Sequence, residues 1–82
     1  MNIKYDFDLI SFGMRLRHIR ETYHMKQAEV AENVGVSTKT VQNWENGQKM
    51  PGIDNLYALA GCYNVSVAEI LHDESYRLFN DR

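Results

Sequence analysis

Two short amphipathic segments joined by a glycine-containing turn constrain the fold of this chain more than any other feature. Residues 27–34 and 38–45 each span eight positions, and only three residues separate them. The first segment repeats apolar residues at helical spacing: Val30, Ala31 and Val34. Gly35 can adopt the positive φ that helix C-termini favour, and Ser37 is a good N-cap. The pattern therefore predicts two short helices connected by a tight turn.

The second of these helices has two chemically different faces. Its inner side is expected to carry Val41, Trp44 and Glu45, and its outer side Lys39, Gln42, Asn43 and Asn46. The outer side offers hydrogen-bond donors and no carboxylate. Asn can pair with adenine and Lys can donate to guanine, and a helix-turn-helix places its second helix in the major groove. The face therefore fits DNA reading, and a plain solvated helix face stays open as the alternative.

The rest of the pattern predicts three more helices and an all-α fold. The five predicted helices cover about residues 12–23, 27–34, 38–45, 53–63 and 67–71. Ser11 or Asp8 can cap the first helix, Pro51 precedes the fourth, and Asn64 is a left-handed exit residue. The apolar positions expected to face the core outside the central pair are Phe12, Leu16, Ile19, Tyr23, Leu56, Leu59, Ala60, Tyr63, Val67, Ile70 and Leu71.

Composition excludes several function classes. The single cysteine, Cys62, cannot form an intramolecular disulfide or a four-thiolate zinc site, and the three histidines are scattered. We therefore expect no metal and no cofactor. The sequence contains no nucleophile–base pair, phosphate-cradling loop or acidic dyad, so we predict no enzymatic activity. It also lacks a signal-peptide pattern and an apolar run of about 20 residues, so we expect a cytoplasmic protein with no membrane contact.

The charge distribution restricts how nucleic acid could be bound. The net charge is −2, with +1 over residues 1–25, zero over 26–49 and −3 over 50–82. A domain that binds DNA by bulk electrostatics should be basic. Any DNA contact must therefore use a local patch in the first half of the chain. The acidic end is either a solvated face or a partner surface.

The combined motifs resemble a known family. The matching segments are RLRHIRE, QAEVAENVGVS, TVQNWENG, PGIDNLYALA and NVSVAEIL. At their fixed spacing, residues 12–71 resemble the lambda-repressor-like helix-turn-helix domain of phage Cro and repressor proteins and of the xenobiotic-response-element regulators. The resemblance implies a five-helix domain that binds DNA through the helix at 38–45.

The resemblance also assigns roles to individual residues. It implies base contacts by Thr38, Lys39 and Asn43, and a structural ion pair between Arg20 and Glu45. Gln27 matches a position that contacts a phosphate and braces the recognition helix. The DNA-backbone contacts that we expect are Arg17, Lys26, Gln27, Ser37, Thr40, Gln42, Asn46 and Lys49. For Lys49, an ordinary surface lysine is an equal alternative.

Two departures from the family pattern affect helix stability. Lys26 stands where the family usually has a Ser, Thr or Asn cap, which removes about 1 kcal/mol of capping. Gly61 lies inside the fourth helix and costs up to about 1 kcal/mol relative to Ala. In addition, Gly52 replaces a basic residue that some relatives direct towards the minor groove.

We divide the chain into an N-terminal extension (1–11), a DNA-binding domain (12–71) and a tail (72–82) that is a candidate dimer contact. The tail carries apolar side chains at Tyr76, Leu78 and Phe79. The predicted function is that of a sequence-specific transcriptional regulator, of repressor type. It would bind a palindromic double-stranded operator as a homodimer formed through the fifth helix and the tail, with a regulatory protein as a further partner. The alternative is a protein-interaction module, such as an antitoxin or an anti-regulator, in which DNA binding is secondary.

Overall fold

The computed structural model describes residues 7–71, and within them the secondary structure is entirely α-helical. The helices are α1 (Leu9–Thr22), α2 (Gln27–Val34), α3 (Thr38–Glu45), α4 (Ile53–Tyr63) and α5 (Val67–Leu71). The all-α prediction is confirmed. The expectations for the tail, 72–82, lie outside the described residues. No helix within 7–71 has the length and apolar character needed to cross a bilayer.

Asp8 is the residue that starts α1. Its carboxylate accepts hydrogen bonds from the backbone N–H groups of Ile10 and Ser11 at 3.1 and 3.2 Å. Of the two candidate caps, Asp8 therefore performs the role. Residues 9–11, which the predicted division assigned to an N-terminal extension, form the first turn of α1, and Leu9 packs against the core.

The turn between α2 and α3 follows the local sequence signals. Gly35 ends α2 with φ 87°, in the left-handed region. Ser37 Oγ then accepts the backbone N–H of Thr40 at 3.1 Å and caps α3. Asn64 ends α4 with φ 54°, as an exit residue should. These local bonds fix where the helices begin and end.

Lys26 provides no side-chain cap for α2, as the departure from the family pattern predicted. The carboxylate of Glu29 compensates in part, because its Oε1 accepts the backbone N–H of Lys26 at 2.7 Å. A lysine side chain has no acceptor atom. Only one half of a reciprocal capping arrangement is therefore present.

The core lies where helices α1 to α5 converge. Its buried apolar residues are Phe12, Leu16, Val30, Ala31, Val41, Trp44, Leu56, Leu59, Ala60, Tyr63 and Ile70. Trp44 is buried beneath α3 rather than available for base stacking. The expectation for Tyr23 was wrong, since 49% of its surface is exposed. Tyr23 follows the last residue of α1, and its ring stacks on the outside of Tyr63 with centroids 6.1 Å apart.

Gly13 sets the distance between α1 and α3, and sequence reasoning missed it. A Cβ atom on Gly13 would lie 2.6 Å from the carbonyl oxygens of both Trp44 and Glu45. Any side chain there would push the two backbones apart. A glycine inside an otherwise helical pattern is the signal that could have indicated such a close approach.

Arg15 ties the last helix to the first. Its Nη1 donates to the carbonyl oxygen of Ile70 at 3.1 Å, and Ile70 itself is fully buried. The short helix α5 is therefore held by both a buried side chain and a bond to its C-terminal turn.

Candidate nucleic-acid interface

The outer face of α3 is open to solvent and free of carboxylates. Lys39 and Asn46 are exposed. The other polar side chains of this face are half-buried: Thr38, Thr40, Gln42 and Asn43. Glu45, the one acidic residue of α3, is buried on the opposite side. The structure thus divides α3 into the two faces that its sequence predicted.

Glu45 anchors α3 to α1. Its carboxylate receives two hydrogen bonds from the Arg20 guanidinium, Nε to Oε2 at 2.7 Å and Nη2 to Oε1 at 3.1 Å. Only 6% of Glu45 is exposed. The hydrogen bond to Glu45 raises the pKa of the Arg20 guanidinium, against the opposing effect of burial. The negative charge of α3 is therefore neutralised inside the protein.

Gln27 connects the start of α2 to the same carboxylate. Its Nε2 donates to Oε1 of Glu45 at 2.9 Å. The amide nitrogen carries two N–H groups, and the bond to Glu45 uses one of them. Arg20 also donates from Nη1 to the carbonyl oxygen of Met25 at 2.9 Å, which sequence reasoning missed. Helices α1, α2 and α3 are thus joined at one buried cluster beneath the candidate interface.

The remaining candidate backbone contacts fall into two groups. Ser37 and Thr40 pair through their hydroxyls at 2.9 Å at the start of α3, and Lys26 is exposed at the start of α2. Lys49 is exposed in the loop after α3, and its backbone N–H donates to the carbonyl oxygen of Asn43 at 3.3 Å. Ser37, Thr40 and Lys49 therefore lie within or next to α3 along the chain, whereas Lys26 lies at the start of α2.

Arg17 is set apart from that group. It lies on α1 in an exposed ion pair with Glu21, at 3.4 Å between Nε and Oε2. None of the hydrogen bonds and ion pairs within residues 7–71 joins Arg17 to α2 or α3. Exposed pairs of this kind contribute little to stability and exchange readily for other partners.

Two further polar groups lie away from this face. Cys62 is half-buried and its Sγ accepts a hydrogen bond from Asn33 Nδ2 at 3.8 Å. The Tyr63 hydroxyl is buried without a hydrogen-bond partner among the described residues, and burial raises the pKa of Tyr63. Within residues 7–71 there is also no cluster of three or more His, Cys, Asp or Glu side chains that could hold a metal ion.

Comparison with known proteins finds a family profile and relatives of the helix-turn-helix type. The Helix-turn-helix family profile matches residues 16–70. The transcriptional repressor RstR of the cryptic phage CTXphi from Vibrio cholerae is 32% identical over 62 residues, which are 76% of this chain and 56% of RstR. The chain therefore spans little more than half the length of that relative.

Two solved structures share the architecture. The restriction-modification controller protein C.AhdI from Aeromonas hydrophila superposes with a TM-score of 0.74 at 30% identity, over 77% of this chain and 96% of C.AhdI. The P22 c2 repressor, solved in complex with a synthetic operator, gives 0.70 at 32% identity over 73% and 91% of the two chains. With the profile covering most of the chain, this protein belongs to the helix-turn-helix family and has its lambda-repressor-like fold.

Proposed function

We propose that this protein is a sequence-specific DNA-binding transcriptional regulator, of repressor type, that inserts α3 into the major groove. The observation that carries the proposal is the division of α3. Its outer face presents amides, hydroxyls and an ammonium group, while its only carboxylate is buried against Arg20. A polyanion can approach such a face without repulsion even though the whole chain is acidic.

Base recognition is assigned to Thr38, Lys39 and Asn43. The N-terminal residues of a recognition helix reach base edges, and Thr38 and Lys39 are the first two residues of α3. An Asn amide can pair bidentately with adenine, and a Lys ammonium donates to guanine O6 and N7. These three side chains would therefore select the site.

Backbone contacts would supply most of the affinity. A phosphate contact by the second amide N–H of Gln27 is the best supported of them. The first N–H donates to Glu45 and thereby fixes the orientation of the amide. A phosphate bound there would be tied directly to the position of α3. The other backbone contacts proposed are Arg17, Lys26, Ser37, Thr40, Gln42, Asn46 and Lys49.

The proposed partner is a palindromic double-stranded operator bound by two copies of the chain. A two-fold dimer of this kind would read half-sites about 10–10.5 base pairs apart. The P22 c2 repressor, solved with a synthetic operator, and the repressor RstR support operator DNA as the partner. Residues 12–71, together with the first turn of α1, would form the DNA-binding domain. The protein would act in the cytoplasm and would have no enzymatic activity. A regulatory protein is a further proposed partner. The alternative of an antitoxin or anti-regulator is not favoured by these relatives.

Selection of bound sequences from a random DNA pool tests the proposal, because a palindromic consensus would reveal both operator and symmetry. On that operator, Lys39→Ala should weaken binding by about 1–3 kcal/mol and leave binding to random DNA nearly unchanged. Lys49→Ala is the matched control, since it also removes one exposed ammonium group. It should weaken both kinds of DNA equally and reduce the slope of log affinity against log salt by about 1.

Equal losses on operator and random DNA in Lys39→Ala would make Lys39 a phosphate contact and remove it from the base-reading set. Weak binding without sequence preference, and with a shallow dependence on salt, would instead reject the regulator and favour a protein-interaction module.

A further inference from the structure

Helix α1 carries a row of two large apolar side chains on the side that faces solvent. Ile10 and Met14 are 62% and 64% exposed and lie four residues apart, so they are neighbours on the helix surface. The opposite side of α1 is used by the fold, since Phe12 and Leu16 are buried in the core. The rest of the described chain leaves most of the row in water, where another apolar segment can pack against it.

The last described helix ends beside α1. Arg15, the residue after Met14, donates from Nη1 to the carbonyl oxygen of Ile70 at 3.1 Å. The chain that follows Leu71 therefore starts next to α1. Met14 and Arg15 point about 100° apart around the helix, and a helix with its side chains is about 10–12 Å wide. The row thus lies about one helix width from the end of α5.

The tail (72–82) supplies apolar side chains within that distance. Tyr76, Leu78 and Phe79 follow four polar residues, 72–75. An extended chain spans at most about 3.3–3.6 Å per residue, so Tyr76 can reach about 17 Å from the end of α5 and Phe79 about 26 Å. The polar residues are a spacer of sufficient length, and the apolar side chains can reach the whole row.

We propose that the tail of each chain docks on its own α1, where Tyr76, Leu78 and Phe79 cover the row of Ile10 and Met14. The contact goes beyond DNA binding and does not depend on it. Its driving force is the apolar surface removed from water on both segments. A short spacer gives an attached segment a millimolar effective concentration at its site, which favours the chain's own tail over that of a second copy.

The charge of the tail matches α1. Asp73 and Glu74 follow closely after α5, and the tail as a whole has three acidic and two basic residues, a net charge of −1. Apart from Arg20, which pairs with Glu45, α1 has two arginines and one glutamate, a net charge of +1. One of these arginines, Arg15, lies where the tail begins. The first residues of the tail are therefore attracted towards α1.

A second exposed apolar pair, Ile53 and Tyr57 on α4, is a weaker site for the tail. Helix α4 has Asp54 in its first turn and no basic residue, so its charge of −1 repels an acidic segment. The side-chain hydrogen bond to the last turn of α5 also comes from α1. Charge and starting point thus both favour the row on α1.

Methyl NMR of the full chain, labelled at its methionine methyl groups, tests the contact without any substitution. The Met14 methyl group should show nuclear Overhauser contacts to ring protons of Tyr76 or Phe79. Met25, which follows the far end of α1, is the internal control and should show contacts to neither ring. The Met14 contacts should be equal at micromolar and millimolar protein. They should not occur between labelled and unlabelled chains in a mixture, because each tail binds its own domain.

A double-mutant cycle in urea unfolding measures the same contact as a free-energy coupling. Phe79→Ala should raise the equilibrium constant for unfolding about fivefold in the wild type, and less than about twofold in an Ile10→Ala background. Ile53→Ala is the matched control, since Ile53 is 64% exposed and also lies in the first turn of a helix. In that background Phe79→Ala should keep its full effect. Circular dichroism checks that each variant is folded.

A Met14 methyl group without contacts to the tail rings would overturn the inference. Contacts between labelled and unlabelled chains would also overturn it, because they would assign the tail to a second copy. Contacts from Met14 to the ring of Tyr5 instead would show that residues 1–6 cover the row. Coupling of Phe79 to Ile53 rather than to Ile10 would place the tail on α4 and reject α1. None of these measurements contains DNA, so the proposed regulator function is tested separately.

Discussion

Removing the Arg20 guanidinium should destabilise this protein far more than removing any exposed charge. Arg20→Met keeps most of the aliphatic stem and deletes the partner of Glu45. The carboxylate would then keep only the hydrogen bond from Gln27, at 2.9 Å, in a site where 6% of the residue is exposed. The variant therefore leaves a nearly unpaired charge in the protein interior.

The expected cost follows from that geometry. Breaking a buried ion pair by deleting one partner costs about 3–5 kcal/mol. A domain of this length has a total free energy of unfolding of about 4–12 kcal/mol, at 0.05–0.15 kcal/mol per residue. The substitution should therefore remove a quarter or more of the free energy of unfolding. It also removes the bond to the Met25 carbonyl oxygen, which places the estimate in the upper part of the range.

Urea unfolding followed by tryptophan fluorescence is the appropriate assay. Trp44 is the only tryptophan in the chain and is 3% exposed, so its emission reports the packing of α3 directly. The double variant Arg20→Met/Glu45→Met should be more stable than Arg20→Met alone, because it strands no charge.

Arg17→Met is the matched control on the same helix. Arg17 pairs with Glu21 in an exposed bridge, 60% and 57% of the two side chains being accessible, so its loss should cost no more than about 0.5 kcal/mol. If Arg20→Met proves no more destabilising than Arg17→Met, the buried pair does not hold α3 as argued. A double variant less stable than Arg20→Met would contradict the charge-burial explanation.

Three further predictions concern stability. Gly13→Ala should lower the free energy of unfolding by about 1–3 kcal/mol in chemical denaturation, because the added methyl group overlaps two carbonyl oxygens of α3 at 2.6 Å; an unchanged midpoint would contradict the close approach. Tyr63→Phe should be neutral or stabilising at pH 7, since it removes a buried hydroxyl without a partner. Because the pKa of Tyr63 is raised in the folded protein, the Tyr63 hydroxyl ionises at a lower pH in the unfolded chain than in the folded one. The wild type should therefore lose stability relative to this variant as the pH rises above about 10. Lys26→Ser should raise the melting temperature by supplying the missing cap of α2, worth about 1 kcal/mol. Lys39→Ser should not, because Lys39 is the exposed second residue of α3 and Ser37 already caps that helix.

The helices could be predicted from sequence because their boundaries depend on neighbouring residues. Gly35, Ser37 and Asn64 act within a few positions of themselves, through a positive φ or a side-chain cap. The faces of α3 likewise follow from helical spacing alone. Such signals are local, and a single sequence contains them in full.

The contacts that build the site could not be predicted from local patterns, because they join residues far apart in the sequence. The likeness to known repressors, rather than the spacing, indicated the pair of Arg20 and Glu45, which are 25 residues apart. The exposure of Tyr23 was missed, because periodicity does not show that a residue has passed the end of its helix.

The sequence by itself determined which segments are helical, which side of each is apolar, and that the outer face of α3 has donors without carboxylates. The tertiary structure alone decided that Gly13 lets α1 approach α3 and that Gln27 is held by Glu45. It also decided that Arg15 holds α5 across 55 residues of chain. The physical reason is the sequence separation of the interacting residues. Helix caps and apolar spacing involve residues a few positions apart, whereas these contacts form only after the core has brought distant residues together.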